Sequence, residues 1–325
     1  MEFILPFHIA SSEYKISYTD KIFLIGSCFS EEMGERLAHS KFNVLQNPHG
    51  ILYDPLSISY ALNSYTENKE YYETDLFSDD DVWHSWRHHS VFSGTDKSTV
   101  LQKINQSQQV ANTFLKDASC VIITLGTAYN YQLKSNDEFV SNCHKAPSSL
   151  FHKNLMETKD VVTDLSHTIK NLQAYNPGLK IIFTISPVRH VRDGVIENNR
   201  SKARLIEAVH SIVERYNQVY YFPAYELVID VLRDYRFYKS DLVHANDTAV
   251  QYVFEKFCNT YFNETTLKLK TGIDALMKTK NHKAFNTESA AHKKFLQAQL
   301  RKAYEIISKN PGIILEEELK YFSGD

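Results

Sequence analysis

Four short apolar runs, at residues 22–25, 120–125, 180–185 and 219–222, each stop at a turn-forming residue: Gly26, Gly126, Ser186 and Pro223. Uninterrupted apolar runs of this length are buried strands, apolar on both faces, as in a parallel sheet. Between them the apolar residues change to helical spacing. Phe29, Met33 and Leu37 follow the first run, and Val100, Leu101, Ile104, Ala111, Phe114 and Leu115 precede the second. Val161, Leu165, Ile169 and Leu172 precede the third, and Leu205, Ile206, Val209, Ile212 and Val213 the fourth. Strands alternating with helices of this length make β-α-β units, so the expected fold is α/β: three layers, with a doubly wound parallel sheet covered on both faces. Ligands of such sheets bind outside the carboxyl ends of the strands. The unusual punctuation, G-S-C from Gly26, G-T-A from Gly126 and S-P-V-R-H from Ser186, falls at that edge.

A chain of 325 residues with 43% hydrophobic content can bury a full core. Its net charge of -3 gives no excess of either sign, so nothing favours a nucleic-acid or membrane-surface partner, and a small or neutral substrate fits better. The N-terminus M-E-F-I-L-P-F-H lacks a basic n-region and no run reaches membrane-spanning length, which gives a cytoplasmic expectation. The four cysteines (Cys28, Cys120, Cys143, Cys258) form no C-x-x-C pair, so they are expected as reduced thiols without a disulfide framework or zinc module. Neither a metal nor a cofactor is expected.

The first strand leads into K-I-F-L-I-G-S-C-F-S, where Ser27 and Cys28 stand between a strand and a helix. Free N–H groups and the positive dipole end of a helix meet a side chain there, which is the logic of a nucleophile elbow. Phe42 to Pro55 carries the loop signals N-P and Gly50; Gly50 either brings a bare N–H to a ligand or only supplies a turn. Residues 66–97, with Asp79, Asp80 and Asp81 and then W-H-S-W-R-H-H-S, are expected as an insertion, an aromatic wall over a polar substrate or plain packing. His84 and His88 have i, i+4 spacing but lack an H-E-x-x-H signature, and no ligand spacing supports a metal site around Cys143 and His144. Asp241 and His244 lie three apart before the last helix of the α/β region. A carboxylate at that spacing can hold one imidazole nitrogen and make the ring a general base. From about Thr265 the chain is Lys-rich and helical in pattern, expected as solvated helices on the core, with a homo-oligomer surface as the alternative.

Taken together, G-S-C-F-S, N-P-x-G (Asn47 to Gly50), G-T-A and D-x-x-H resemble the GSCFA family, which is similar to a branch of the SGNH (GDSL-type) hydrolases with their flavodoxin-like fold. N-C-H-K from Asn142, S-P-V-R-H from Ser186, S-K-A from Ser201 and Y-F-P-A-Y-E from Tyr221 resemble it further. The resemblance implies an ester-directed hydrolase or acyltransferase, with a carbohydrate or related small-molecule substrate. Laying Gly26-Ser27-Cys28 on the Gly-Asp-Ser block puts Cys28 at the nucleophile position, with Ser27 as a variant; Asp241 and His244 complete the triad. Gly50 matches the glycine whose N–H serves the oxyanion hole. The third block departs, because Ala128 stands where an asparagine donor is expected. Thr127 or Asn130 are the candidate replacements, and Gly126, His144 and Arg189 complete the expected substrate-binding set. Glu31 and Glu32 oppose a thiolate if they approach the sulfur.

The expected organisation is one domain over 1–263, interrupted by the insertion at 66–97, and a helical extension over 264–325. A reading of another class is a non-catalytic carbohydrate-binding or scaffold protein on a decayed hydrolase fold, with Ala128 as the mark of lost catalysis.

Overall fold

The computed structural model describes residues 5–281 and 289–323. In chain order its elements are β1 (Lys21–Gly26), α1 (Cys28–His39), β2 (Asn43–Gln46), α2 (Pro55–Thr66), β3 (Phe77–Asp79), β4 (Val82–His84), α3 (Lys97–Lys116), β5 (Cys120–Leu125), β6 (Tyr129–Leu133), β7 (Phe139–Val140), β8 (Phe151–Leu155), α4 (Thr158–Tyr175), β9 (Lys180–Ile185), α5 (Val195–Arg215), β10 (Val219–Phe222), α6 (Ala224–Glu226), α7 (Asp247–Tyr261), α8 (Glu264–Asn281), α9 (Ala290–Lys309) and α10 (Glu316–Ser323).

The four apolar runs are neighbours in one five-stranded sheet, in the order β10-β9-β5-β1-β2. They pair in parallel, with Ile22 opposite Cys120, Cys120 opposite Lys180 and Val219 opposite Ile181. Counted by appearance in the chain this order is 2-1-3-4-5, the flavodoxin-like arrangement, whose topological switch point lies between β1 and β5. Strand β2 had no apolar run to announce it, because its residues are only half-buried or exposed at the sheet edge.

The helices bury the faces that their spacing marks. Val161, Leu165, Ile169 and Leu172 of α4 and Leu205, Ala208, Val209 and Ile212 of α5 join Phe23, Ile25, Val121, Ile123, Ile181 and Phe183 of the strands in one core. Helix α2 starts at Asp54, whose carboxylate accepts from Ser57 N (3.0 Å), with Pro55 in the first turn; the N–H that proline lacks would have had no partner there.

Two excursions leave this frame. Residues 66–97 form the antiparallel β3–β4 hairpin and short turns. Residues 129–155 form a separate sheet of order β7-β6-β8, which the sequence did not announce. In the W-H-S-W-R-H-H-S stretch Ser85 and His88 are buried and both tryptophans half-buried, which favours the plain-packing alternative over an aromatic wall. Trp86 stacks on Phe77 at 3.6 Å, and His84 is bonded to Ser93. His88 is buried, bonded to Ser85 and stacked on His49 at 4.1 Å. His49 is bonded in turn to the hydroxyls of Tyr65 (2.6 Å) and Tyr71 (3.1 Å). Burial pulls His49 down to about 3 and His88 well below the usual range, so this pair is a neutral, dry stack.

The chain divides into two compact units, Met1–Phe7, Lys21–Gly34 and Leu45–Val253 in one, and His8–Asp20, Glu35–Val44 and Phe254–Asp325 in the other. The first holds the sheet edge and the candidate site. The second has its own apolar interior, including Ile273, Leu276, Ala303, Leu315 and Phe322. Its carboxylate Glu318 is fully buried between Lys41 (2.9 Å) and Lys280 (2.8 Å), and two cations offset the cost of removing that charge from water. Ile16 is tied to Tyr261 (2.7 Å) within this unit.

Candidate active site

The turn after β1 is built around Gly26. Its φ is +137°, and a Cβ there would stand 2.1 Å from the Thr124 carbonyl oxygen of the neighbouring strand, so no larger residue fits. Asn47 fastens the turn: its side-chain oxygen accepts from Gly26 N (2.9 Å), and its own N–H donates to Leu24 O (2.9 Å). Ser27 donates its N–H to Thr124 O (3.1 Å), and its hydroxyl is buried with no hydrogen-bond partner among the described residues. Cys28, the first residue of α1, is half-buried and lines a pocket of ≈ 350 Å³.

The opposite wall of that pocket comes from the loop before α7, with Asp241 and His244. Asp241 accepts from the N–H groups of Val243 (2.9 Å) and His244 (3.0 Å), which folds the loop back on itself. Its second oxygen lies 2.7 Å from His244 Nδ1. These hydrogen bonds, the His244 N–H first, hold the carboxyl down at about 2, so it is ionised at any working pH. A carboxylate on Nδ1 leaves Nε2 as the nitrogen that can take a proton in the pocket. Glu32 and Lys239, paired at 3.1 Å, stand at the rim, and Phe29, Val188, Ala245 and Val250 give the pocket an apolar side.

The thiol is not pre-ionised. Burial first and then the Glu31 charge push Cys28 above its ordinary value, and Glu32 adds to this, while the N–H groups of Phe29 and Cys28 pull it back.

Gly50 differs from the expectation of a free N–H. It donates to Asn47 O (2.7 Å), closing the N-P-H-G turn, and a Cβ on it would meet His89 Cβ at 2.2 Å. A left-handed turn (φ +76°) and close packing account for this glycine, so the supply of an oxyanion donor from it is corrected. The G-T-A block has a comparable structural duty. Gly126 N (2.7 Å) and Thr127 N (3.0 Å) both donate to Tyr53 O, and Ala128 N donates to Ser201 Oγ (2.7 Å). Thr127 lines a second cavity with Tyr53. Asn130 is buried on β6 with its side-chain oxygen unpartnered among the described residues. His144 is held by Ser85 O (2.8 Å) and Ser90 Oγ (3.1 Å) and lowered to about 4 by burial, so it secures loops instead of lining the Cys28 pocket. Arg189 lies over the Tyr238 ring at 4.4 Å and reaches Leu242 O (3.4 Å), which places it behind the Asp241–His244 loop as a brace.

Lys202 carried no role in the sequence reading beyond its place in S-K-A. It is almost wholly buried, and its ammonium donates to Gly126 O and Ser186 O, both at 2.6 Å, at the ends of β5 and β9. Burial pulls it down to about 7, and the Cys28 charge opposes that shift. Its helical register with Leu205, Val209 and Ile212 on the buried face of α5 was the available signal. Among the described residues no group of three or more His, Cys, Asp or Glu side chains could hold a metal ion, and no helix is long and apolar enough to cross a membrane.

A 2-1-3-4-5 parallel sheet with a thiol at its first strand–helix turn and an Asp–His pair facing it defines a three-layer α/β protein with its candidate site at the carboxyl edge. The chain belongs to the GSCFA family, whose model matches residues 21–257; the model of the GSCFA domain protein, C-terminal domain, matches residues 273–324. No curated protein matches the chain. Among solved structures it is similar to an acetyl xylan esterase (Est2A) from the rumen bacterium Butyrivibrio proteoclasticus, at 11% identity and a TM-score of 0.37, covering 79% of this chain and 65% of that one. It is also similar to a carbohydrate esterase family 3 protein from Talaromyces cellulolyticus, at 10% identity and a TM-score of 0.36, covering 79% of this chain and 99% of that one. The chain thus spans less than two thirds of the acetyl xylan esterase.

Proposed function

We propose that the chain is an SGNH-type acyl hydrolase or acyltransferase that acts on ester groups of a carbohydrate or similar small molecule through Cys28, His244 and Asp241. The observation that carries this reading is that one pocket is lined both by Cys28, at the start of α1, and by the Asp241–His244 pair, from the far end of the same unit. His244 Nε2 takes the S–H proton, and the thiolate adds to the ester carbonyl. The alcohol leaves with the proton from the imidazolium, and a thioester on Cys28 remains. Water, or the hydroxyl of an acceptor, gives its proton to His244, attacks the thioester and restores the thiol. Asp241 holds the ring and offsets its positive charge, and the N–H groups of Cys28 and Phe29 face the developing oxyanion.

Intact-mass spectrometry after exposure to 4-nitrophenyl acetate tests this. The expected result is an acetyl adduct that maps to Cys28, persists in Ser27→Ala and disappears in Cys28→Ala. An adduct that survives Cys28→Ala would move the nucleophile elsewhere. No adduct at all from esters or thioesters would favour the binding or scaffold reading.

A further inference from the structure

A second cavity, of ≈ 200 Å³, opens beside the first in the same unit and shares none of its lining residues. Tyr53 and His190, edge to face at 5.3 Å, stand where the two approach. Tyr53 senses the charges of Cys28 and Glu31, and His190 senses that of His244. Tyr53 is held in place by the two N–H groups of the G-T-A block, so that block serves this partition.

The lining is a mixture of aromatic faces, donors and acceptors. Tyr129 and Tyr131 come from β6, Arg192 from the turn before α5, and the buried carboxylate Asp54 from the cap of α2. Lys153, from β8, lies over the Tyr129 ring at 4.4 Å and is paired with Asp193. Its charge is therefore offset within the cavity, and Asp54 and Arg192 add one group of each sign to the lining, so the site has no surplus of positive charge to select a phosphate or other anion. Burial pulls His190 down to about 4, so its ring is neutral and can accept a hydrogen bond at neutral pH. Rings flanked by both donors and acceptors match a ligand that has apolar ring faces and many hydroxyls. The volume equals about seven waters at roughly 30 Å³ each, which suits one sugar ring.

We infer that this cavity binds the alcohol side of the ester, a single hydroxyl-rich pyranose ring, with Tyr131 and Arg192 as its recognition residues and Tyr53 and His190 between the ring and the acyl site. The assignment of the ring as the alcohol side rests on Cys28 being the acyl nucleophile; the binding itself does not.

Saturation-transfer difference NMR on the full chain, with methyl β-D-glucopyranoside as probe and inorganic phosphate as competitor, tests the inference. Transfer to the pyranoside is expected for the wild type and for Cys28→Ala, unaffected by phosphate. Arg192→Ala, at an exposed position that folding does not depend on, is expected to weaken binding about 10-fold, and Tyr131→Ala at least as much. Absence of transfer, equal transfer in wild type and Arg192→Ala, or displacement by phosphate would each overturn it. Because no turnover is read, these outcomes are separate from loss of the Cys28 adduct, which would overturn the acyl chemistry alone.

Discussion

Replacing His244 with alanine is expected to slow acylation of Cys28 by 4-nitrophenyl acetate by about 10²–10⁴-fold at neutral pH, the usual contribution of a positioned base. The size follows from the state of the thiol. Burial and the charges of Glu31 and Glu32 hold Cys28 protonated, so the nucleophile must be made by proton transfer at the moment of attack. Without the imidazole, the rate should follow the free thiol and rise with pH through its elevated pKa. With the imidazole, a faster component that does not wait for the free thiolate should be added. Asp241→Asn should keep the loop and reduce that component, since the carboxylate, at about 2, holds its full charge on the ring side. Glu31→Gln should act in the opposite direction and speed iodoacetamide alkylation, because it removes the largest charge opposing the thiolate. Rate–pH profiles that coincide for the wild type and His244→Ala would remove His244 from the mechanism.

Much of this site was legible because its parts are local. An Asp-x-x-His spacing carries its own hydrogen bond, and the bond between Asp241 and His244 forms within one loop. Gly26 is marked by the end of an apolar run, and its steric need is met by the next strand in a parallel sheet. The three central strands β1, β5 and β9 were legible for the same reason: both their faces are buried, so the apolar run is nearly continuous. What the sequence left dark depends on partners distant in the chain. The roles of the G-T-A amides are decided by the Tyr53 carbonyl and the Ser201 hydroxyl, which no spacing rule selects. Nothing in the spacing of the insertion's histidines marks His88 as buried; only its tertiary stack on His49 takes it out of water, while His84 and His89 stay half-buried. The β7-β6-β8 sheet is small and partly exposed, so its strands show no unbroken apolar signal.

Lys202→Met is expected to show the second large effect, on stability. In the native chain the amine sits among the ends of β5 and β9 with Gly126 O and Ser186 O each at 2.6 Å, and those carbonyls belong to the turns that shape the site edge. Methionine fills the space and offers no donor, leaving two buried carbonyls unsatisfied at about 1–3 kcal/mol each. The loss is offset in part at low pH, where the native lysine carries a buried charge, and the sign of the pH dependence follows. The side chain titrates at 10.5 when unfolded and near 7 when folded, so between those values the unfolded state binds the extra proton and native stability rises with pH. Below about 7 both states hold the proton and this contribution is flat. A neutral amine still has two N–H groups for the two carbonyls, so the difference between wild type and Lys202→Met should widen from pH 7 to pH 10, reaching roughly 2–6 kcal/mol in urea denaturation. A stability difference that stays constant across this range would reduce Lys202 to a filler of space.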